Sequence, residues 1–269
     1  MSPETDFLYP IIMKDSNKNI IPTSRNLRLN IAYNGYNYFG WQIQKDAPTI
    51  QGTIENKLNQ ILNENLRLYG ASRTDARVHA EGQVANYFTN TKKECEEIKY
   101  ILNKTLPVDI YIKQVTDANL SFNARRDALG KHYKYKVWIS DEKPVFQNQQ
   151  IFFYPKNIDI DAIMKASRQI EGTHDFTSFA SNRNQKETDT VKHLQEVKIT
   201  NNYPILEIDI KGNSFLYKMV RGICGTLLAI GRGKDEYKDI EAIFQAKDRS
   251  KAAKNLIGQG LTLVEVFYK

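Results

Sequence analysis

Apolar and polar side chains alternate along several short stretches of the chain, which is the pattern of β-strands that bury one face. The stretch from Leu261 to Tyr268 is instead apolar on both faces, which predicts a strand in the middle of its sheet. The other predicted strands are Leu27–Tyr33, Val84–Phe88, Ile110–Val115, Tyr133–Ile139 and Leu206–Ile210.

Four further stretches repeat apolar residues with the helical period and have start or stop signals at their ends. The last of these helices, predicted to be capped by Ser214, contains Gly222 and Gly225. Because glycine lowers helix stability, these two predict close packing against another backbone. The predicted helices are Thr49–Leu62, Thr91–Leu102, one from Asp159 or Asp161 to Ile170, and one from Ser214 to Ile230 with Phe215, Met219, Ile223, Leu227 and Ile230 as its buried face.

The composition is that of a folded globular protein, with 269 residues, 41% of them hydrophobic and 26% charged. This length suits two modest domains or one large α/β domain. No run approaches the roughly 20 apolar residues that a membrane helix needs, so we expect no membrane partner. The start of the chain, Met1–Asp6, lacks the basic and then apolar order of a signal peptide, which points to the cytoplasm.

The net charge of +7 and the pI of about 9.1 favour a polyanionic partner, although many proteins have a generally basic surface. Cys95 and Cys224 have neither metal-ligand nor disulfide-framework spacing. The four histidines are also scattered, so we expect no structural metal.

The candidate chemistry lies in the stretch Gly70–Val84, where Asp75 stands between Arg73 and Arg77. Loops between regular elements often carry catalytic groups. Two nearby arginines would keep the Asp75 carboxylate ionised. For the tripeptide Arg73-Thr74-Asp75 alone, a solvated loop with a weak surface ion pair is the better interpretation. The longer sequence around this tripeptide favours a functional site over a solvated loop.

The run from Ser72 to Gln83 resembles the signature of the TruA-type tRNA pseudouridine synthases, which usually reads Gly-Arg-Thr-Asp-Ala-Gly-Val-His-Ala. Ser72 replaces the first of these glycines and Arg77 replaces the second. A glycine at the second position would permit a left-handed turn or a close approach of the backbone to RNA. The departure at Arg77 therefore bears on loop geometry and on substrate preference.

Other segments resemble boxes of the same family in the same order, between about Leu27 and Tyr268. Asn34 stands where the family usually has Asp, Asn123 where it has His, and the turn before the last strand lacks the usual proline. The matching boxes are Ala32–Gln42, Phe122–Arg125, Gly172–Phe179 and Phe215–Gly233.

The resemblance implies an α+β pseudouridine synthase fold, in which two α/β subdomains with mainly antiparallel sheets meet at a basic active-site cleft. On this basis we predict a flexible N-terminal extension over residues 1–25, an N-terminal subdomain over 26–125 and a C-terminal subdomain over 126–269. It also implies a homodimer, no cofactor, and tRNA rather than DNA as the partner.

The expected reaction is isomerisation of uridine to pseudouridine in the tRNA anticodon stem-loop, at positions 38 to 40. Asp75 would attack C1′ or take the 2′ proton, and the sequence does not choose between these roles. By resemblance, Arg221 would pair with Asp75, and Tyr133 would stack on the uracil and serve in proton transfer at C5.

Three arginines are expected to bind substrate. By resemblance, Arg73 would fill the space left by the flipped uridine. Arg125 belongs to a basic segment before the strand that carries Tyr133. Arg77 is interpreted as a phosphate contact, with an internal pair to Glu81 as the alternative.

Two alternatives to the anticodon stem-loop enzyme remain. The same chemistry could act on another RNA or position, as the departures at Arg77 and Asn123 suggest. A catalytically silent RNA-binding protein is the other alternative, which the intact Asp75, Tyr133 and Arg221 disfavour. Residues 182–192 are polar and charged and are predicted to form a mobile loop in reach of RNA.

Overall fold

The computed structural model describes residues 12–14, 20–22, 25–181 and 189–269. Within these ranges the chain forms five α-helices and twelve strands. The helices are α1 (Ile50–Leu62), α2 (Cys95–Thr105), α3 (Ile160–Ile170), α4 (Met219–Gly231) and α5 (Ile240–Ala246). The strands are β1 (Ile12–Lys14), β2 (Ile20–Pro22), β3 (Arg25–Tyr33), β4 (Tyr69–Gly70), β5 (His79–Thr89), β6 (Ile110–Ala118), β7 (Gly130–Trp138), β8 (Phe152–Phe153), β9 (Gly172–Asp175), β10 (Val191–Asn202), β11 (Ile205–Gly212) and β12 (Leu261–Phe267).

Ten of the strands form one sheet, whose main order is β6-β3-β5-β12-β7-β11-β10-β9, with β4 beside β5 and β8 beside β7. Its described pairings are antiparallel except for β5 with β12 and β7 with β8. The strand at Leu261–Phe267 lies between β5 and β7, so the prediction of a central strand is confirmed. The predicted α+β fold with a mainly antiparallel sheet is also confirmed.

Side-chain alternation gives the β7 and β11 part of this sheet one buried face. On β7, Tyr133 and Tyr135 are buried, and they lie opposite the buried Ile210 and Ile208 of β11. The intervening residues are only partly buried and carry charges on the other face, where Lys134 contacts Glu207 at 3.1 Å. This difference between the faces is what the period of two in the sequence predicts.

The start of the last long helix was predicted wrongly. α4 begins at Met219, not at Ser214, and its N-cap residue is Lys218 with a left-handed backbone at φ 60°. The spacing of Phe215 and Met219 fits the helical period, but Lys218 interrupts the helical backbone between them. Phe215 therefore belongs to the segment that leads into the helix, and it lines the cleft described below.

The predicted close packing of Gly222 and Gly225 is confirmed. A Cβ atom on Gly225 would lie 2.2 Å from the carbonyl oxygen of Lys254, and one on Gly222 would lie 2.5 Å from that of Phe179. Both contacts are with backbone, which cannot move aside as a side-chain end can. The two glycines therefore allow the backbone at Phe179 and at Lys254 to pack directly against α4.

Of the elements that were not predicted, β10 and α5 are the longest. The strand β10 has a register irregularity between Leu194 and Glu196, so its apolar residues do not keep a period of two. Of the loop predicted over 182–192, residues 182–188 lie outside the described residues, and Val191 already belongs to β10. The helix α5 has only seven residues, too few for a clear periodic signal.

The predicted extension over residues 1–25 lies mostly outside the described residues, although β1 and β2 pair with each other in antiparallel fashion within it. The division at residues 125 and 126 stays a prediction, since one sheet includes strands from both sides of it. No helix in the described ranges has both the length and the apolar character required to cross a membrane.

The glycine contact in α4 gives a stability prediction. Gly225→Ala should lower the free energy of unfolding by about 1–3 kcal/mol, because the added methyl group forces the Lys254 backbone away. Gly52→Ala is the matched control, since Gly52 also lies in a helix but its nearest contacts are side-chain atoms of Thr49 and Ile43. Urea unfolding of both variants measures the difference. Equal stability of the two variants would contradict the close contact.

Candidate active site

The Asp75 loop covers residues 71–78 and joins β4 to β5. Its first residues are held by hydrogen bonds to β5: the Ala71 N–H donates to the Val84 carbonyl at 2.8 Å. The Gln83 side chain binds both backbone groups of Ser72, accepting from its N–H at 3.2 Å and donating to its carbonyl at 2.7 Å. The side chain of Ser72 is thereby fixed in position beneath the cleft.

The middle of the loop is held by the aromatic segment after β3. The Trp41 N–H donates to the Thr74 carbonyl at 3.0 Å, and the Arg77 N–H donates to the Tyr38 carbonyl at 3.1 Å. Gly40 has φ 97°, and a Cβ atom there would lie 2.5 Å from the Thr74 oxygen. A glycine at this position therefore lets the two segments approach closely.

The aromatic side chains between Tyr38 and Trp41 have two different environments. Tyr38 and Trp41 are buried and belong to the hydrophobic core. Phe39 is 57% exposed and lines the cleft beside the loop. An exposed ring at this place is available for stacking on a base.

His79 anchors the loop at its far end. Its Nδ1 accepts the Gly35 N–H at 3.1 Å, and its Nε2 lies 3.1 Å from the Gln259 carbonyl, so the proton is on Nε2. Burial lowers the pKa of His79 and favours this neutral tautomer. The motif histidine thus ties the loop both to the segment after β3 and to the turn before β12.

Asp75 and Arg221 form an ion pair at 2.8 Å between Oδ2 and Nη1. Their side chains are 19% and 14% exposed, so the pair is partly shielded from water. Arg221 lies in the first turn of α4 and also donates from Nε to the Leu256 carbonyl at 2.6 Å. Because these two contacts fix the planar guanidinium, the carboxylate is held in one orientation.

Tyr133 lies close to this pair. Its hydroxyl is 2.6 Å from Ser72 Oγ, and the edge of its ring packs against Phe215 with centroids 5.1 Å apart. Burial raises the pKa of Tyr133 to about 12, and the negative charge of Asp75 contributes to the increase. The side chain is therefore a neutral phenol at physiological pH.

Arg77 has a left-handed backbone with φ 64°. Its guanidinium carbon lies 5.3 Å from the centroid of the Tyr36 ring. Within the described ranges Arg77 has no ion pair, with Glu81 or with any other carboxylate, so the predicted alternative of a pair to Glu81 is wrong. The backbone conformation explains why a glycine would suit this position.

Arg73 and Arg125 are exposed at the same side of the cleft. Partial burial lowers the pKa of Arg73, as do the charges of Arg125 and Arg67. The positive charges of the three arginines therefore act on one another although they come from different segments. Like charges that interact in this way indicate a place where negative charge would be stabilised.

All six predicted site residues line one cleft of about 730 Å³. Several of its other residues were not predicted as functional. Strand alternation places Lys131 beside Tyr133, and this signal was available in the sequence. The unpredicted lining residues that bear on the chemistry are Phe39, Ser72, Lys131, Phe215 and Lys218.

Comparison with known proteins assigns the chain to a family. The family model described as tRNA pseudouridine synthase matches residues 30–126 and 166–269. The chain belongs to this family. Proteins named tRNA pseudouridine synthase A from Acetivibrio thermocellus and Caldicellulosiruptor bescii are 38% and 40% identical to it over 244 residues, which is 91% of this chain and 100% of each relative. A protein of the same name from a Geobacillus species is 41% identical over 246 residues.

The pseudouridine synthase match includes the segments that carry Asp75 and Arg221. Asp75 lies in the first matched range, and Tyr133 lies in the interval between the two ranges. Arg221 lies in the second range, 146 residues after Asp75. The match is therefore consistent with a site assembled from distant parts of the chain.

The backbone at Arg77 gives a prediction that does not depend on RNA. Arg77→Ala should be less stable than Arg77→Gly by about 1 kcal/mol, because only alanine has a Cβ atom in the left-handed region. Both variants lose the contact with Tyr36, so that loss cancels in the comparison. Chemical denaturation of the two proteins measures the difference. A more stable alanine variant would show that the turn is not left-handed in solution.

Proposed function

We propose that the protein is a tRNA pseudouridine synthase that isomerises uridine to pseudouridine in the anticodon stem-loop, at positions 38 to 40. The observation that carries the proposal is the Asp75–Arg221 ion pair beside Tyr133 in one cleft. The names of the relatives supply the substrate class, and the basic charge suits an RNA partner.

The reaction rearranges one nucleotide without adding or removing atoms. The bond from C1′ to N1 breaks, the uracil turns while it is held, and a bond from C1′ to C5 forms. The C5 proton leaves and N1 gains one. Asp75 would start the sequence by attacking C1′ or by taking the 2′ proton. Both roles require a carboxylate held in a fixed direction, and the ion pair with Arg221 fixes that direction.

Tyr133 is proposed to hold the uracil during its turn. Its ring would stack on the base, and its hydroxyl would act in proton transfer at C5. The Tyr133 hydroxyl is uncharged and forms a hydrogen bond with Ser72 Oγ. It is therefore suited to passing a proton along that hydrogen bond. It is not suited to act as a strong base in the free protein, because its pKa is raised to about 12.

The arginines at the cleft are proposed to bind and reshape the RNA. Arg73 would occupy the space that the flipped uridine leaves, which offsets an unstacking cost of a few kcal/mol. Arg125 and Arg77 would contact phosphates. For Arg77 the glycine variant described above gives a test, because loss of a phosphate contact lowers the salt slope of log K by about one.

The cellular compartment, oligomeric state and subdomain division of the enzyme are also proposed from the family resemblance. We expect a cytoplasmic homodimer whose two α/β subdomains, residues 26–125 and 126–269, flank the cleft. Sedimentation equilibrium tests the dimer. Mapping pseudouridine in total tRNA from cells with and without the gene identifies the modified uridine. It also decides between the anticodon stem-loop and another RNA, which Arg77 and Asn123 keep open.

Asp75→Asn should abolish pseudouridine formation while RNA binding largely persists, because binding comes from many basic groups and not from one carboxylate. Tritium release from RNA containing 5-tritiated uridine measures the reaction, and filter binding measures affinity. Asp161→Asn is the control, since Asp161 is exposed on α3. Substantial turnover by the Asp75 variant would refute the catalytic assignment.

Arg221→Ala should lower the rate of pseudouridine formation by about 100-fold or more, since a misplaced catalytic group is costly. Arg232→Ala removes the same charge from the opposite, exposed end of α4 and should keep the wild-type rate. Single-turnover rates are measured with saturating enzyme, so that differences in RNA affinity do not affect the comparison. If both variants were as fast as the wild type, Arg221 would have no part in positioning Asp75.

A further inference from the structure

Lys131 lies on the same face of β7 as Tyr133. The two residues are separated by one strand repeat of about 7 Å, and both line the cleft. Lys131 therefore reaches the same cleft as the ring proposed to stack on the uracil, from a position one strand repeat away. None of the roles described above uses it.

Lys131 has an unusual electrostatic environment for a partly buried lysine. Within the described residues it has neither a hydrogen-bond acceptor nor a carboxylate partner. The charge that affects it most is another cation, Arg125. Burial, with a smaller effect of Arg125, lowers the pKa of Lys131 to about 8.

Lys134, on the same strand, has the acidic partners that a partly buried lysine usually has. It lies on the opposite face of β7, where its ammonium contacts Glu207 at 3.1 Å and Asp209 at 3.8 Å. Among the described residues, the sheet therefore offers acidic partners to Lys134 on one face and none to Lys131 on the other. Burial of a cation beside a second cation destabilises the free protein unless an anion joins them.

Two further cations, Arg125 and Arg73, line the same cleft as Lys131. The charge of Arg125 lowers the pKa of both Lys131 and Arg73. Neither Arg125 nor Arg73 has an ion pair within the described residues. A phosphodiester between Lys131 and Arg125 would supply the negative charge that the site lacks.

We propose that Lys131, together with Arg125, binds the RNA phosphate next to the nucleotide whose base stacks on Tyr133. This inference rests on the proposed function, since it takes RNA as the ligand. In this role Lys131 is a positioning residue, because it holds the backbone while Asp75 and Tyr133 act on the flipped nucleotide. The positive charge of Lys131 lowers the stability of the RNA-free protein, and the same charge favours phosphate binding.

Three variants test this role. Lys131→Met removes the charge and keeps the aliphatic stem, Lys131→Arg keeps the charge, and Lys134→Met removes one charge from the other face of β7. RNA affinity is measured at several salt concentrations with an anticodon stem-loop RNA, and thermal stability is measured without RNA.

Lys131→Met should weaken RNA binding about tenfold and lower the salt slope of log K by about one. Its melting temperature should equal or exceed that of the wild type, because an unpaired buried charge is gone. A purely structural role would instead lower stability and leave the salt slope unchanged. Lys131→Arg should restore most of the affinity, and Lys134→Met should change it much less than Lys131→Met.

Uncharged methylphosphonate linkages, placed one at a time around the target uridine, then locate the contact. One linkage should weaken binding to the wild type and have no further effect on binding to Lys131→Met. Wild-type affinity and salt slope in Lys131→Met would overturn the proposal, and so would equal losses in Lys131→Met and Lys134→Met. Tritium release by the wild type is scored separately, so a failure of the proposed function is seen independently of this contact.

Discussion

The parallel pairing of β5 with β12 is the interaction on which the site depends. Leu263 of β12 is paired with Ala80 on one side and with Tyr133 on the other. This row of three residues sets the separation between the end of the Asp75 loop and the strand that carries Tyr133. If the pairing slipped by one residue, the side chains of β12 would change faces and Tyr133 would no longer face Ser72.

Around this row, the free protein already holds its reactive groups in fixed directions. The backbone of the loop is bound on one side by β5 and on the other by the Tyr36–Trp41 segment, while Arg221 holds the carboxylate from a third element. Groups that are fixed before substrate arrives need little reorganisation during the reaction. The left-handed residues Arg77 and Lys218 and the unpaired Lys131 lower stability at the same place. Such a combination is usual where binding or catalysis is selected over stability.

Much of the fold could be predicted from the sequence, because alternation in β3, β7 and β11 reports directly which side chains are buried. The prediction failed where the backbone departs from regular geometry. The irregularity at Leu194 hides the period of β10, and the left-handed Lys218 ends a helical pattern that the side chains alone would continue. The pair of Asp75 with Arg221 joins residues 146 apart, which no local pattern specifies. Only the resemblance predicted it. The predicted strand began at Tyr133, so Lys131, which lies one repeat earlier on β7, was missed.

The bond between His79 and Gln259 also bears on how the protein folds. These residues are separated by 180 positions, and the hydrogen bond closes a loop that includes β6, β7, β10 and β11. Closing so long a loop is entropically unfavourable until the intervening strands have paired, so contacts of this kind form late and slowly. The Asp75 loop therefore gains its full set of anchors only at the end of folding. Partly folded chains would expose basic residues that attract RNA, yet they would lack the geometry to modify it.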